Sequence, residues 1–412
     1  MSRACACIAT RYCQRVKKCE TSVLAVLISL FMKKTFYEFF AGGGMAHAGL
    51  GSDWACAFAN DFSEMKGRSY AANWGNKTLV VQDIATLETS QLQAQADLAW
   101  ASFPCQDLSL AGNGAGLDGA RSGTFWPFIN LMKSLKKENR KPHVIALENV
   151  FGALISHGGK DFEAMVDALV GIGYRVGGMV VDAVHFLPQS RPRLFVVAVD
   201  SSISIPDECI DQGPSPAWHP EAIIRAHNKL KKKTRDQWLW WSMPMPRQKI
   251  KTLDEIIEMN PSGVVWNTEH DTQKLLQMMT PVNRQKVIQA QESGRLKVGT
   301  IYRRTREGVQ RAEVRFDGIA GCLRTPGGGS SRQTIIIVDG NNIRSRLLSP
   351  REAARLMGLK DSYVLPERYN DAYHLAGDGV AVPVVAHIRK HIITPVIDKM
   401  TATMAYEKKR AA

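Results

Sequence analysis

Leu98-Ala99-Trp100-Ala101-Ser102-Phe103-Pro104-Cys105-Gln106 is a short apolar run that closes on a Pro-Cys step. The run has the length of a buried strand, and the stretch after it (107–121) carries Gly112, Gly114, Gly116 and Gly119, enough to read as a mobile loop. A cysteine therefore sits where a strand ends, which in an open α/β sheet is where ligands and reacting groups gather. A free cysteine is more often a small buried hydrophobe. The position of Cys105 favours a nucleophile, and the loop favours a lid able to close over a substrate.

Working outward, further apolar runs at 35–40, 54–59, 144–147 and 193–199 read as strands. Residues 62–73, 123–139 and 161–172 read as helices between them. This alternation predicts a doubly wound, mostly parallel α/β sheet covered on both faces. The runs 174–184 and 193–199 have no helix between them, so an antiparallel edge hairpin is expected. Five segments follow: a non-essential extension (1–31), a catalytic and cofactor-binding domain (32–200), a smaller irregular domain (201–340), a returning segment (341–400) and a tail (401–412). Ser349 followed by Pro350 marks the start of a helix.

The chain has 412 residues and a formal net charge of +14, with 45% hydrophobic and 22% charged residues. This is the composition of a globular protein with a basic surplus that points to a polyanionic partner, nucleic acid first. The eight cysteines show no CxxC pair of zinc-site spacing, so neither a metal nor a disulfide framework is expected, and the chain reads as intracellular. The apolar run 23–31 is too short to span a bilayer, and no membrane association is expected.

Three further groups lie at strand ends. Phe39-Phe40-Ala41-Gly42-Gly43-Gly44 is a glycine turn, but His47 stands where a dinucleotide fingerprint needs its third glycine. That opposes a nicotinamide or flavin oxidoreductase and favours a cofactor without a pyrophosphate. Asp61, about twenty residues on, and Asp83 with Ile84 suit ribose and adenine contacts. Glu148 ends the run 144–147, and Arg191 and Arg193 precede the run 193–199; an arginine beside a cysteine stabilises a thiolate or grips phosphate.

With these residues in order, the chain resembles the DNA (cytosine-5)-methyltransferases of bacterial or phage type. The matching segments are FFAGGG (39–44), ND (60–61), DI (83–84), FPCQ (103–106), ENV (148–150), QSRPR (189–193), RLLSPREAARLMG (346–358) and GDGVAVP (377–383), covering nearly all of 33–400. The resemblance implies the fold of S-adenosyl-L-methionine-dependent methyltransferases and methylation of cytosine carbon 5 in double-stranded DNA at a specific sequence. Cys105 would attack carbon 6 of a flipped base, Glu148 would bind the nitrogen 3 edge and supply a proton, Arg193 would hold the base and Arg191 its neighbouring phosphate. Phe40, Gly42, Gly44, Asp61, Phe62, Asp83, Ile84, Pro104 and Asp378 would bind the cofactor. Phe40 would lie against the adenine, Asp61 would take the ribose and Asp83 the adenine amino group.

Family members commonly carry Gly-Asn where this chain has Gly377-Asp378-Gly379. An Asp there accepts from the methionyl ammonium but cannot donate. The stretch between QSRPR and SPRE would read the DNA, with Gln189, Arg324, Lys231, Lys232 and Lys233 as contacts and Thr325–Gly329 as a flexible loop; a solvated face is the alternative for the lysines. The implied setting is a monomer in the bacterial cytoplasm or a phage-infected cell, with a cognate restriction endonuclease as a further candidate partner. A tRNA-methylating branch is opposed by the lack of a Cys-Phe-Thr tripeptide, and a non-catalytic DNA-binding relative by intact Cys105 and Glu148.

Overall fold

The computed structural model describes residues 33–104, 122–247, 251–306, 308–324 and 332–411. The extension 1–31, Cys105, the glycine-rich stretch 107–121 and the stretch 325–329 lie outside the described residues. The first half of the chain runs β1 (Lys34–Phe39), α1 (Met45–Leu50), β2 (Trp54–Asp61), α2 (Glu64–Trp74), β3 (Leu79–Val81), β4 (Leu98–Ala101), α3 (Phe125–Lys137), β5 (Val144–Val150), α4 (Lys160–Gly171), β6 (Tyr174–Asp182) and β7 (Pro192–Asp200). Among the described residues these seven strands form one sheet in the order β3-β2-β1-β4-β5-β7-β6. β1 to β5 pair in parallel, and β7 runs antiparallel to both its neighbours. The expected hairpin is present, with β7 inserted between β5 and the edge strand β6.

Strand periodicity of two puts alternate residues of β1 on opposite faces, and both faces are apolar because both are covered. Phe36 joins Trp100, Val144 and Ala146 on one face. Tyr37 and Phe39 join Ala99, Ala101, Ile145 and Leu147 on the other. On that second face α3 buries Phe125, Phe128, Ile129, Met132 and Leu135, a spacing of three and four that makes one helical stripe. Each such side chain contributes about 1.5–3 kcal/mol by leaving water.

Residues 203–243 were expected in the second domain, but Ile203, Cys209, Trp218, Leu239 and Trp241 pack into the same core as Phe36 and Trp100. Two short strands, β8 (Ile210–Asp211) and β9 (Trp240–Trp241), pair with each other beside β6, and α5 (Glu221–Lys229) lies between them in sequence. The Val176 amide donates to the Gln237 carbonyl at 2.9 Å and the Leu239 amide to the Val176 carbonyl at 2.9 Å. A Cβ at Gly177 would lie 2.2 Å from the Leu239 carbonyl oxygen, so glycine is what lets this segment press on β6. The segment thus covers an edge strand that would otherwise offer unpaired backbone groups.

The smaller module is α6 (Glu269–Gln277), α7 (Pro281–Glu292) and the strands β10 (Lys297–Arg306), β11 (Val309–Arg315), β12 (Thr334–Asp339) and β13 (Asn342–Leu347). Its antiparallel sheet has the order β11-β10-β12-β13 and its own core of Met279, Val287, Ile301, Ala312, Val314, Ile336 and Val338. Its last strand, β13, runs to Leu347. Helices α8 (Pro350–Leu356), α9 (Tyr369–Asp378), α10 (Val382–Ile388) and α11 (Thr394–Ala411) return to the large sheet. Gly49 of α1 has no Cβ, and one built there would meet the Val385 side chain at 2.5 Å, which lets α10 seat closely. The run 369–411 is long and apolar enough to cross a bilayer by composition, and half of its apolar window is buried within the protein.

Ser349 caps α8 in a reciprocal capping box with Glu352. The Glu352 carboxylate also holds Arg346 of β13 at 2.6 and 2.8 Å, both residues being 0% exposed. Removing one partner of a fully buried pair strands the other charge in low dielectric. Arg346→Met should therefore lower the unfolding free energy by about 3–5 kcal/mol in urea titrations, and the double variant Arg346→Met, Glu352→Leu should lose less than the single one.

Candidate active site at the switch point of the sheet

Strand order reverses between β1 and β4, so a crevice opens beyond their carboxyl ends. The glycine turn leaves β1 there. Phe40 adopts φ 55°, a left-handed conformation that is strained for an aromatic residue, and Gly42 (φ 56°) and Gly44 (φ 75°) continue the turn. Asp61 at the end of β2 staples it: one carboxylate oxygen accepts from the Gly42 amide at 2.8 Å, the other from the Ser63 amide at 2.9 Å at the start of α2. The ribose-binding residue expected from sequence thus also has a structural duty.

From below, Tyr363 and Trp74 both donate to the Gly43 carbonyl, at 2.7 and 3.0 Å. A Cβ on Gly43 or Gly44 would lie 2.2 Å from one of these side chains, whereas one on Gly42 would meet nothing within 4 Å. The turn is packed beneath and open above. Beside it, Phe62 is 71% exposed, and the exposed Asp83 caps the next turn by accepting from the Ala85 amide at 2.9 Å, with Ile84 buried. Asp378 closes this end of the crevice: its carboxylate pairs with Lys66 of α2 at 2.9 Å, and a Cβ on its neighbour Gly379 would overlap the Met45 sulfur at 2.1 Å.

A second group of residues assembles at β4, β5 and β7. Phe103 is buried against Phe125, and its carbonyl accepts from the Asn149 amide group at 3.2 Å, which ties the half-buried Pro104 and the approach to Cys105 onto β5. Glu148 is 7% exposed and its carboxylate lies 3.3 Å from the Arg193 Nε. Burial raises the Glu148 carboxyl, and the opposing pull of Arg193, Arg191 and the Ser102 hydroxyl does not cancel it, so it lies above its ordinary value. Ser102 is itself oriented by the Trp100 indole at 3.0 Å.

Three expectations change. Arg191 was expected at a phosphate, but it is 2% exposed and its guanidinium donates to the carbonyls of Leu323, Gly377 and Gly379 at 3.0, 2.8 and 2.7 Å. It is a buried clamp. Gln189 was expected at the DNA, but it is fully buried, donating to the Leu356 carbonyl at 2.6 Å and accepting from the Leu323 amide at 3.2 Å. Lys231 pairs with Asp167 and Glu163 of α4 at 2.7 and 3.5 Å, Lys232 with Asp236 at 3.0 Å, and Lys233 is exposed beside them. Lys231 is thus tied to α4 and Lys232 to the residue four positions on. Arg324 is exposed and follows Cys322 and Leu323, which do reach that pair's neighbourhood. Sequence reasoning missed Cys322, whose sulfur touches Arg191 and Arg193, and nothing local to it signals the contact.

Under the glycine turn lies a buried polar network that the sequence did not announce. Glu38 of β1 accepts from the His47 amide at 3.2 Å through one carboxylate oxygen, and its other oxygen is buried close to Tyr70. Tyr70 also meets His47 Nδ1 at 3.0 Å and the Cys56 sulfur at 3.4 Å, and His47 stacks on Trp74 with ring centroids 4.1 Å apart. Burial dominates, lifting the Glu38 carboxyl to about 8 and lowering the His47 imidazole to about 4. The network is therefore uncharged at neutral pH, supporting the turn without a buried ion.

The sequence model of the C-5 cytosine-specific DNA methylases matches residues 34–394. The chain is similar to the type II methyltransferase M.HpaII of Haemophilus parainfluenzae, 27% identical over 382 residues, covering 88% of this chain and 89% of the relative. It is 29% identical to the type II methyltransferase M.BsuFI of Bacillus subtilis over 215 residues, about half (51%) of each chain. Among solved structures, the Dnmt2 methyltransferase of S. pombe superposes with a TM-score of 0.57 at 18% identity, over 88% of this chain and 99% of that one, a likeness of fold.

The network under the turn makes a pH signature. The folded protein keeps on Glu38 a proton that the unfolded chain releases in the ordinary carboxylate range. His47, protonated in the unfolded chain below about 6.5 but in the folded protein only below about 4, opposes this at lower pH, so stability should fall as pH rises from about 6.5 to about 8 and level off above, with a slope from Glu38 of up to about 1.4 kcal/mol per pH unit. Glu38→Gln should flatten that slope in urea unfolding measured between pH 5 and 9; an unchanged slope would remove Glu38 from the account.

Proposed function

Because this chain belongs to the family of C-5 cytosine-specific DNA methylases, we propose that it methylates carbon 5 of a cytosine at a specific sequence in double-stranded DNA, using S-adenosylmethionine. The observation that carries the reading is the buried Glu148 carboxyl, raised above its ordinary value and held 3.3 Å from Arg193 at the edge where β4 delivers the Pro-Cys step. A carboxyl that holds its proton more tightly than usual suits protonation of the cytosine nitrogen 3 edge. The net charge of +14 suits a polyanionic substrate.

The crevice fits a nucleoside cofactor. Gly42 is open above, Phe62 offers an exposed ring and Asp83 an exposed carboxylate. Phe40, Gly44, Asp61, Ile84 and Pro104 would complete that site, with Asp378 and its partner Lys66 at the amino-acid end. When bound, S-adenosylmethionine supplies an electrophilic methyl group. The chain's own residues do the rest. Cys105, as the thiolate, adds to carbon 6 of the base, and Glu148 gives its proton to nitrogen 3, so that the displaced electron pair makes carbon 5 nucleophilic. Arg193 holds Glu148 and the base edge. As carbon 5 takes up the methyl group, the nitrogen 3 proton returns to Glu148; a base then removes the carbon 5 proton, and the electron pair left there expels the Cys105 sulfur from carbon 6.

The target atoms lie inside the duplex stack, so the base must leave it, at a cost of about a few kcal/mol. The small sheet β10–β13 and Arg324, with the stretch that follows Arg324 in sequence, are proposed to read the DNA, and a cognate endonuclease is the partner that the type II relatives suggest.

Cys105→Ala should abolish methyl transfer while retaining cofactor binding by calorimetry, and the unaltered enzyme should form a covalent adduct on DNA containing 5-fluorocytosine. Turnover by the alanine variant would overturn the assignment. Glu148→Gln should slow transfer by about 10²–10⁴-fold at unchanged cofactor affinity, the range of a positioned general acid.

A further inference from the structure

Cys322 lies in the stretch that joins β11 to β12, within the module proposed to read DNA, yet it reaches Arg191 and Arg193. Arg191 Nη1 donates to its sulfur at 3.3 Å and Arg193 Nη2 at 3.7 Å, while the same Arg193 holds Glu148 through Nε at 3.3 Å. The Cys322 thiol also donates to the Leu323 carbonyl at 3.5 Å. Two guanidiniums and two acidic groups thus occupy one buried corner.

This placement is fixed from both sides. The Ala320 amide donates to the Pro188 carbonyl at 2.7 Å, the Ser190 amide to the Ala320 carbonyl at 2.9 Å, and the Leu323 amide to the Gln189 side chain at 3.2 Å. From the small sheet, the Tyr302 hydroxyl of β10 donates to the Cys322 carbonyl. The Tyr302 ring also covers Gly321 so closely that a Cβ there would lie 2.1 Å from it. The sulfur cannot drift from the arginines without moving Tyr302 or the 188–190 backbone.

We infer that Cys322 is a positioning residue for the Arg193–Glu148 pair: its sulfur accepts from both guanidiniums, and it ties that pair to the small sheet through Gly321 and Tyr302. The inference rests on the proposed methyl transfer for its meaning, but not for its geometry. With the sulfur in place, the two guanidiniums are shared between it and the Glu148 carboxyl. Without it, Arg193 bears more fully on Glu148, whose carboxyl then loses its proton at lower pH and is less available as the proton donor.

The charge reading agrees with the surroundings. The titratable and charged groups that face the sulfur are Arg191 and Arg193 at the start of β7, Arg324 on its own segment, Tyr302 of β10 and Tyr373 of α9, with Glu148 beyond Arg193. Burial by itself would raise the thiol, and the arginines, led by Arg191, outweigh it, so Cys322 lies below its ordinary value.

Two measurements on the full chain test this. In steady-state methylation of DNA, Cys322→Ala and Cys322→Ser should lower kcat about tenfold, part of what a positioned acid contributes, with KM for S-adenosylmethionine unchanged. The alkaline fall of kcat should also move to lower pH in both. Cys322→Asp, of similar volume and ionised, should restore the rate and the position of that fall. Wild-type rate and pH profile in the alanine and serine variants would overturn the inference. So would equal loss in all three variants with an unmoved alkaline fall, which marks packing alone.

Independently of turnover, iodoacetamide labelling followed at the Cys322 peptide by mass spectrometry should show a midpoint below the ordinary thiol value of about 8.5, and Arg193→Ala should raise it. An ordinary midpoint, unmoved by Arg193→Ala, would also overturn it. If the wild-type chain methylates no DNA, the proposed function fails, and the labelling profile still decides the role of Cys322.

Discussion

The direction of β7 is the constraint on which the site depends. Because β7 runs against β5, in a register that sets Glu148 opposite Phe195 and Val150 opposite Arg193, its first residues lie at the edge where β1, β4 and β5 end. A parallel strand in the same place would carry Arg193 about 20 Å away, toward the other end of the sheet. The hairpin with β6 therefore does more than close the sheet: it turns an arginine-rich segment back to the carboxylate. Every other contact of the corner, from the Arg191 clamp to the Cys322 sulfur, is built on that reversal.

The two modules share one apolar core, through Val298, Ile335 and Ile337 of the small sheet, and buried charges fix their mutual placement. Arg346 and Glu352 carry β13 onto α8 with no solvent exposure. Arg191 binds the carbonyls of Leu323, Gly377 and Gly379, and so fastens the small module's trailing segment and the end of α9 to one point beside β7. Desolvating a guanidinium costs several kcal/mol, which only well-directed hydrogen bonds offset. Such joints are specific in geometry. A displaced carbonyl leaves a charge unpaired, so the joints favour one mutual placement over a sliding apolar contact.

Much of this was legible in the chain. Apolar runs alternating with helical stretches gave the large sheet, and a carboxylate ending such a run gave Glu148, because strand ends are visible in sequence. Burial of a polar side chain is not. Gln189 and Arg191 read as surface contacts because their acceptors are carbonyls from 132 to 188 residues away, and a carbonyl has no sequence signature. The Trp- and Lys-rich segment read as a separate domain since its role is to cover the edge of β6, a task that leaves no periodicity. Cys322 lies 129 residues from Arg193, and only the fold brings them together.

The glycine turn shows how strain and support are balanced. A left-handed Phe40 costs about 1–2 kcal/mol. It persists because the surroundings over-determine it: Asp61 holds the Gly42 amide, Tyr363 and Trp74 hold the Gly43 carbonyl, and Phe40 itself packs on the apolar face of the sheet. Tyr363 belongs to the returning C-terminal segment, nearly the whole chain away from the turn it supports. The turn thus reaches its shape only when the chain has closed on itself. A ligand settling above Gly42 then meets backbone that is already ordered, and little of its binding free energy is spent on arranging the protein.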